Sequence, residues 1–174
     1  MLRSLLLALV VPWVVANAAD PTLNVHYVDA MASLQPPFAM RRSGSGAESI
    51  YQGSAGSALL TLYVRSDLVR TAVLETTDAT VPDAESGPTY LRNFTIRGRF
   101  LTNVLPSWHA GALRWTDETI HALSPAAIAG RPQSRTTARD GTELRLDLSG
   151  AGTHNGHPVL RLVLTAQPES SAHR

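Results

Sequence analysis

Leu144, Leu146 and Leu148 alternate with Glu143, Arg145 and Asp147, and Leu160, Leu162 and Leu164 repeat the same spacing further along the chain. A two-residue period puts every leucine on one side of an extended backbone and every charge on the other, which a helix cannot do. The stretches Thr142–Ser149 and Pro158–Ala166 are therefore strands. Asp140-Gly141 before the first is a tight-turn signal that joins it to Ser134–Arg139, and Gly150–Gly156 is the loop between the two.

The same period runs through much of the chain. Thr22 to Val28 places Leu23, Val25 and Tyr27 on one side and Asn24 and His26 on the other. Pro36-Pro37 and the run Ser43-Gly44-Ser45-Gly46 mark the loop that follows. Ala58–Arg65 and Val69–Thr76 read as a strand pair joined near Ser66-Asp67, and the polar stretch Asp78–Pro88 reads as a loop. Tyr90–Leu101 alternates Phe94, Ile96 and Phe100 with Arg97 and Arg99 and is expected to be a long strand, with Ala112–Thr116 a shorter one. The helical signal is brief: Ser124-Pro125, a small-residue run and Gly130 suggest a single turn. About seven or eight short strands of this kind predict an all-β fold, an antiparallel immunoglobulin-like β-sandwich, with a closed barrel as its rival.

The N-terminus carries a different signal. Arg3, the apolar run Leu5–Val15 and the small-x-small site Ala16-Asn17-Ala18 read as a signal peptide spanning residues 1–18. An exported chain usually meets an oxidising compartment, yet this one has no cysteine to staple it. A lipoprotein-type anchor is excluded for the same reason. The formal net charge of +1 gives no electrostatic case for nucleic acid. All 15 basic residues are arginine, which fits either selection for guanidinium contacts or a genome rich in G and C.

Pro158–Ala166 is apolar on both faces, because Val159 and Val163 oppose the leucines. Such a strand should be covered on both sides and paired along both edges. The tail after it, residues 167–174, is polar, while a strand without a predecessor stands at residues 19–30. Two arrangements satisfy this: the N-terminal strand closes its own sheet, or it completes the groove of a neighbour.

The chain resembles the cysteine-free major pilins of the alternate chaperone–usher class, the colonisation-factor or alpha fimbriae. The resemblance is carried by Thr22–Val28 leading to Asp29, by Leu34-Gln-Pro-Pro-Phe38, and by Leu62–Asp67 running to Val73–Thr77. It continues through Trp108–Leu113 with the small-residue stretch Ala122–Gly130, and ends in Thr142–Leu148 followed by Val159–Thr165. It implies a non-enzymatic fimbrial subunit without cofactor, passed through the periplasm to the cell surface, with a sandwich spanning residues 31–166 that is incomplete until a donor strand fills it. Leu23, Val25 and Tyr27 are then donor side chains, and Leu160, Leu162 and Leu164 line the acceptor groove. The implied partners are further copies of the chain, a periplasmic chaperone, an outer-membrane usher and a host surface receptor. The alternative is a free-standing periplasmic β-sandwich that binds a small ligand or metal ion.

Catalytic motifs are sparse. Gly44-Ser45-Gly46 and Gly53-Ser54-Ala55-Gly56 fall short of a nucleophile elbow, and phosphate-loop, dinucleotide and zinc-protease patterns are missing. His154 and His157 are either a metal-binding pair or bystanders in a turn at Asn155-Gly156, with His26, His109 and His121 as further donors. Asp78, Asp83 and Glu85 are calcium candidates in a solvated loop. Trp108 and Trp115 suit the core or a carbohydrate platform, and Asn93-Phe94-Thr95 is a glycosylation sequon.

Overall fold

The computed structural model describes residues 21–34, 38–43 and 48–169. The expected signal peptide, its cleavage site, Pro36-Pro37, the Gly44–Gly46 run and the last five residues of the tail lie outside them. A short helix α1 (Tyr27–Leu34) is followed by β1 (Arg41–Ser43), β2 (Ser49–Ala55), β3 (Ala58–Arg65) and β4 (Leu68–Ala79). Two long helices come next, α2 (Gly87–Val104) and α3 (His109–Ile128), then β5 (Gln133–Arg139), β6 (Thr142–His154) and β7 (His157–Pro168). The strands form one antiparallel sheet of order β1-β2-β3-β4-β7-β6-β5. β7 is paired on both edges, by β4 and by β6.

The alternation holds where it was clearest. Leu144, Leu146 and Leu148 face Leu160, Leu162 and Leu164 on the buried side, joined by Leu60, Leu62 and Leu74 from the first meander. Turns with left-handed backbone close the hairpins at Ser66-Asp67 (φ 50° and 64°), Asp140-Gly141 (54° and 76°) and Asn155-Gly156 (49° and 79°), the geometry that matches strand twist. The opposite face is half-exposed and carries ion pairs, among them Arg161 to Glu75 through two bonds of 2.6 and 2.7 Å. Arg161 hydrogen-bonds the Glu75 carboxylate and holds it below its ordinary pKa. The stability this confers is present above about pH 4.3 and is lost as pH falls through the depressed value. In Arg161→Met the Glu75 carboxyl should titrate at or above its ordinary value by NMR, because only the desolvation that raises it remains. The variant should lose no more than about 1 kcal/mol at pH 7, because the pair is exposed, and the loss should shrink as pH falls below about 4.3 toward the depressed value.

The layer over the apolar face differs from expectation. Among the described residues every strand belongs to this one open sheet, with β1 and β5 as its edges, and helices lie where a second sheet was expected. Tyr90–Leu101 is not a strand but most of α2. Its buried residues Asn93, Ile96, Arg97, Phe100, Leu101 and Val104 recur at three- and four-residue intervals, and Pro88 starts it. Ala112–Thr116 is helical too, inside α3, and Ser124-Pro125 forms the last turn of that helix rather than a helix of its own. Gly130, at φ 76°, follows the end of α3 in the left-handed conformation that commonly stops a helix. The buried face of α3 is built of small residues, Ala112, Thr116, Thr119 and Ala127, and the helix end lies close to the sheet. A Cβ on Gly150 would stand 3.2 Å from the Ala127 carbonyl oxygen.

Thr22–Val28 is not a continuous strand. Asn24 has φ 56°, which breaks the extended run, and helix α1 begins at Tyr27. What remains pairs with its own chain: Leu23 N–H donates to Val69 O (2.9 Å), Val69 N–H to Val25 O (2.9 Å) and Tyr27 N–H to Asp67 O (2.8 Å). β3 takes the other edge of this stretch of β4, so the segment prolongs the line of β7 beyond the end of that strand.

Candidate binding cleft between the helices and the sheet

α2 rests on β4 and α3 on β6 and β7, and between the two helices and the sheet runs a cleft of about 510 Å³. Leu148, Leu160 and Leu162 form its apolar floor, with Ala79 at the end of β4. Tyr90 and Phe94 from α2 and Ile120 and Ile128 from α3 wall it. Phe94 and Ile128, 43% and 45% exposed, flank the cleft from opposite helices and extend its apolar surface toward solvent. The volume lies within the usual range for small-molecule sites, about 300–1,000 Å³.

A charged pair is set into this apolar surface. Arg97, 5% exposed, donates from Nη1 to Asp78 Oδ2 and, at 3.3 Å, to the Thr76 hydroxyl. Asn93 is fully buried, and its Nδ2 donates to Asp78 Oδ1 (2.7 Å), Ser57 Oγ (2.9 Å) and the Thr77 carbonyl (3.2 Å). One turn of α2 thus presents an amide and a guanidinium to a single carboxylate on β4, which fixes the rotation of the helix on the sheet. Asp117 and His121, one turn apart on α3, stand at the mouth. Burial pushes the Asp117 carboxyl above its ordinary range against the pull of Arg97.

A second polar cluster latches the tip of the β6–β7 hairpin to the loop before α2. Asp83 accepts from the Ser86 amide and hydroxyl, both at 2.7 Å, and from Asn155 Nδ2 at 3.0 Å. The bond from Asn155, then those from Ser86, hold its carboxyl well below the usual range. His154 Nε2 lies 4.0 Å from Asp83 and 3.8 Å from Glu85. His157 faces His154 across the turn. Among the described residues no three His, Cys, Asp or Glu side chains are grouped to hold a metal ion. Of the calcium candidates, Asp83 and Glu85 come together, while Asp78 is committed to Arg97 and Asn93.

The other expected site residues fall as follows. Leu23 and Val25 are buried in the core of their own chain, each 7% exposed, and Tyr27 stacks on Tyr51 of β2 with ring centroids 3.9 Å apart. Leu160 and Leu162 lie beneath the helices as the cleft floor, and Leu164 is wholly buried further along β7. Trp108 is a core residue, and Trp115 packs half-buried against that core. Asn93 of the sequon is inaccessible to glycosylation in the folded chain. Sequence reasoning missed Arg97, Asp117 and His121 as a group. The signal that could have found part of it is Asn93 and Arg97, four residues apart, with Ile96, Phe100 and Val104 continuing a helical stripe.

Comparisons of the chain with protein-family models, with curated proteins and with solved structures found no match.

Proposed function

We propose that the protein is an exported, free-standing binding domain whose cleft between α2, α3 and the sheet takes a small, largely apolar ligand. The observation that carries this reading is the Asp78–Arg97 pair set among the cleft's apolar residues, below the exposed rings and branched chains of Phe94 and Ile128. Apolar walls supply affinity and a few fixed polar groups supply orientation, the usual division of labour in a ligand site. On this reading the N-terminal segment serves its own sheet and the protein acts as a monomer. Fibre assembly by strand donation, with its chaperone, usher and neighbouring copies, would require Leu23 and Val25 to leave the core that now buries them.

Nile red, a neutral dye that brightens in apolar surroundings, tests the cleft. Saturable binding at one site is expected, weakened about tenfold in Phe94→Asp, because a buried phenyl contributes roughly 1.5–3 kcal/mol and 1.4 kcal/mol is tenfold. Phe94 is exposed on α2, so the fold should tolerate the change. No saturable binding, or equal binding by the variant, sinks the reading.

A further inference from the structure

Charge inside the cleft is unevenly matched. Two carboxylates, Asp78 and Asp117, face one guanidinium, and Arg97 already spends Nη1 on Asp78. Asp117 is exposed on α3 beside the cleft and has no hydrogen bond or ion pair among the described residues; partial desolvation raises its pKa in spite of Arg97. A carboxylate ligand would have to compete with Asp78 for the guanidinium while facing Asp117. A cation meets the opposite situation.

One further feature favours a donor over an acceptor. The rings of Tyr90 and Phe94 wall the same space, and aromatic faces attract cations. The rest of the lining is aliphatic apart from His121 and the hydroxyls of Thr80 and Ser124, which are spent on the Pro158 and Ile120 carbonyls.

We infer that the ligand is an amphipathic amine, its ammonium held at Asp117 and its apolar body laid between Phe94 and Ile128 over the leucine floor. This inference rests on the cleft being a binding site, and three matched probes separate the two claims. Titration calorimetry of the purified protein with octylammonium, 1-octanol and octanoate should rank octylammonium tightest, about tenfold above octanol, the value of one charge-assisted hydrogen bond. Asp117→Asn should remove that tenfold and leave octanol binding unchanged. Glu118→Gln, the neighbouring charge on the same helix, should change neither. If octanoate binds as tightly as octylammonium or tighter, or if Asp117→Asn leaves the ranking intact, the amine assignment is wrong while the cleft stands. If none of the three probes binds, both claims fall.

Discussion

Replacing Arg97 by methionine should lower the free energy of unfolding by about 3–5 kcal/mol, the usual loss when one partner of a buried ion pair is removed. The side chains of Arg97 and Asp78 are 6% and 13% exposed, so water cannot take over the abandoned carboxylate. Asn93 and Thr76 would still donate to it, but neither neutralises it. Methionine keeps the stem length of arginine, so packing against the sheet is largely retained and the loss reports the charge. Urea denaturation of Arg97→Met measures it. The double variant Arg97→Met, Asp78→Asn should regain a large part of the loss, since the buried charge disappears while Asn93 keeps an amide oxygen to bond. A loss under about 1 kcal/mol in the single variant would show that the pair is solvated, as exposed pairs are.

A chain without residues 19–30 should fail to unfold cooperatively at room temperature. Burial of Leu23 and Val25 contributes roughly 1.5–3 kcal/mol each. Two backbone bonds to β4 and one to Asp67 just before it add about 0.5–1.5 kcal/mol each. Even discounted for ordering the segment, that is a large share of the roughly 5–15 kcal/mol that holds a typical domain together. Grafting the segment after Ala166 through a flexible linker should restore folding, because β7 points along β4 toward the vacated edge. The discriminating measurement is on the native chain. It should sediment as a monomer and melt no lower than the graft. A native chain that polymerises, and folds alone only when grafted, would return the segment to a neighbour.

What could be read from the sequence tracks how cleanly one period dominates. In β6 and β7 leucines alternate with charges or valines over many residues, and no helix satisfies that spacing. β7 is paired on both edges as its pattern suggested, but only its leucine face is covered, and Val159 and Val163 lie on the half-exposed side. In α2 two periods compete: Phe94, Ile96 and Phe100 alternate with Arg97 and Arg99, yet Phe94 is exposed and Arg97 buried. The decoy works because two of the inward positions, Asn93 and Arg97, are polar, and they face inward only because Asp78 waits on β4. α3 was hard for another reason, since its sheet-facing stripe of alanine and threonine carries little hydrophobic contrast. The cleft was not legible at all. Asp78, Arg97, Asp117 and Leu160 meet only through the crossover that carries the chain over the sheet between β4 and β5.

The place of β7 between β4 and β6 has a consequence for how the fold is reached. β7 follows the other six strands of the sheet in the chain and is the one that joins the two meanders, and its bond from Arg161 to Glu75 spans 86 positions of chain. Until it is present, β4 and β6 are open edges and the leucines of both halves lack their common core. Closure over so long a loop is slow relative to local pairing. Emergence from a ribosome or a translocation pore therefore cannot complete this domain stepwise. The sheet stays open, and vulnerable to pairing with other edges, until β7 is free.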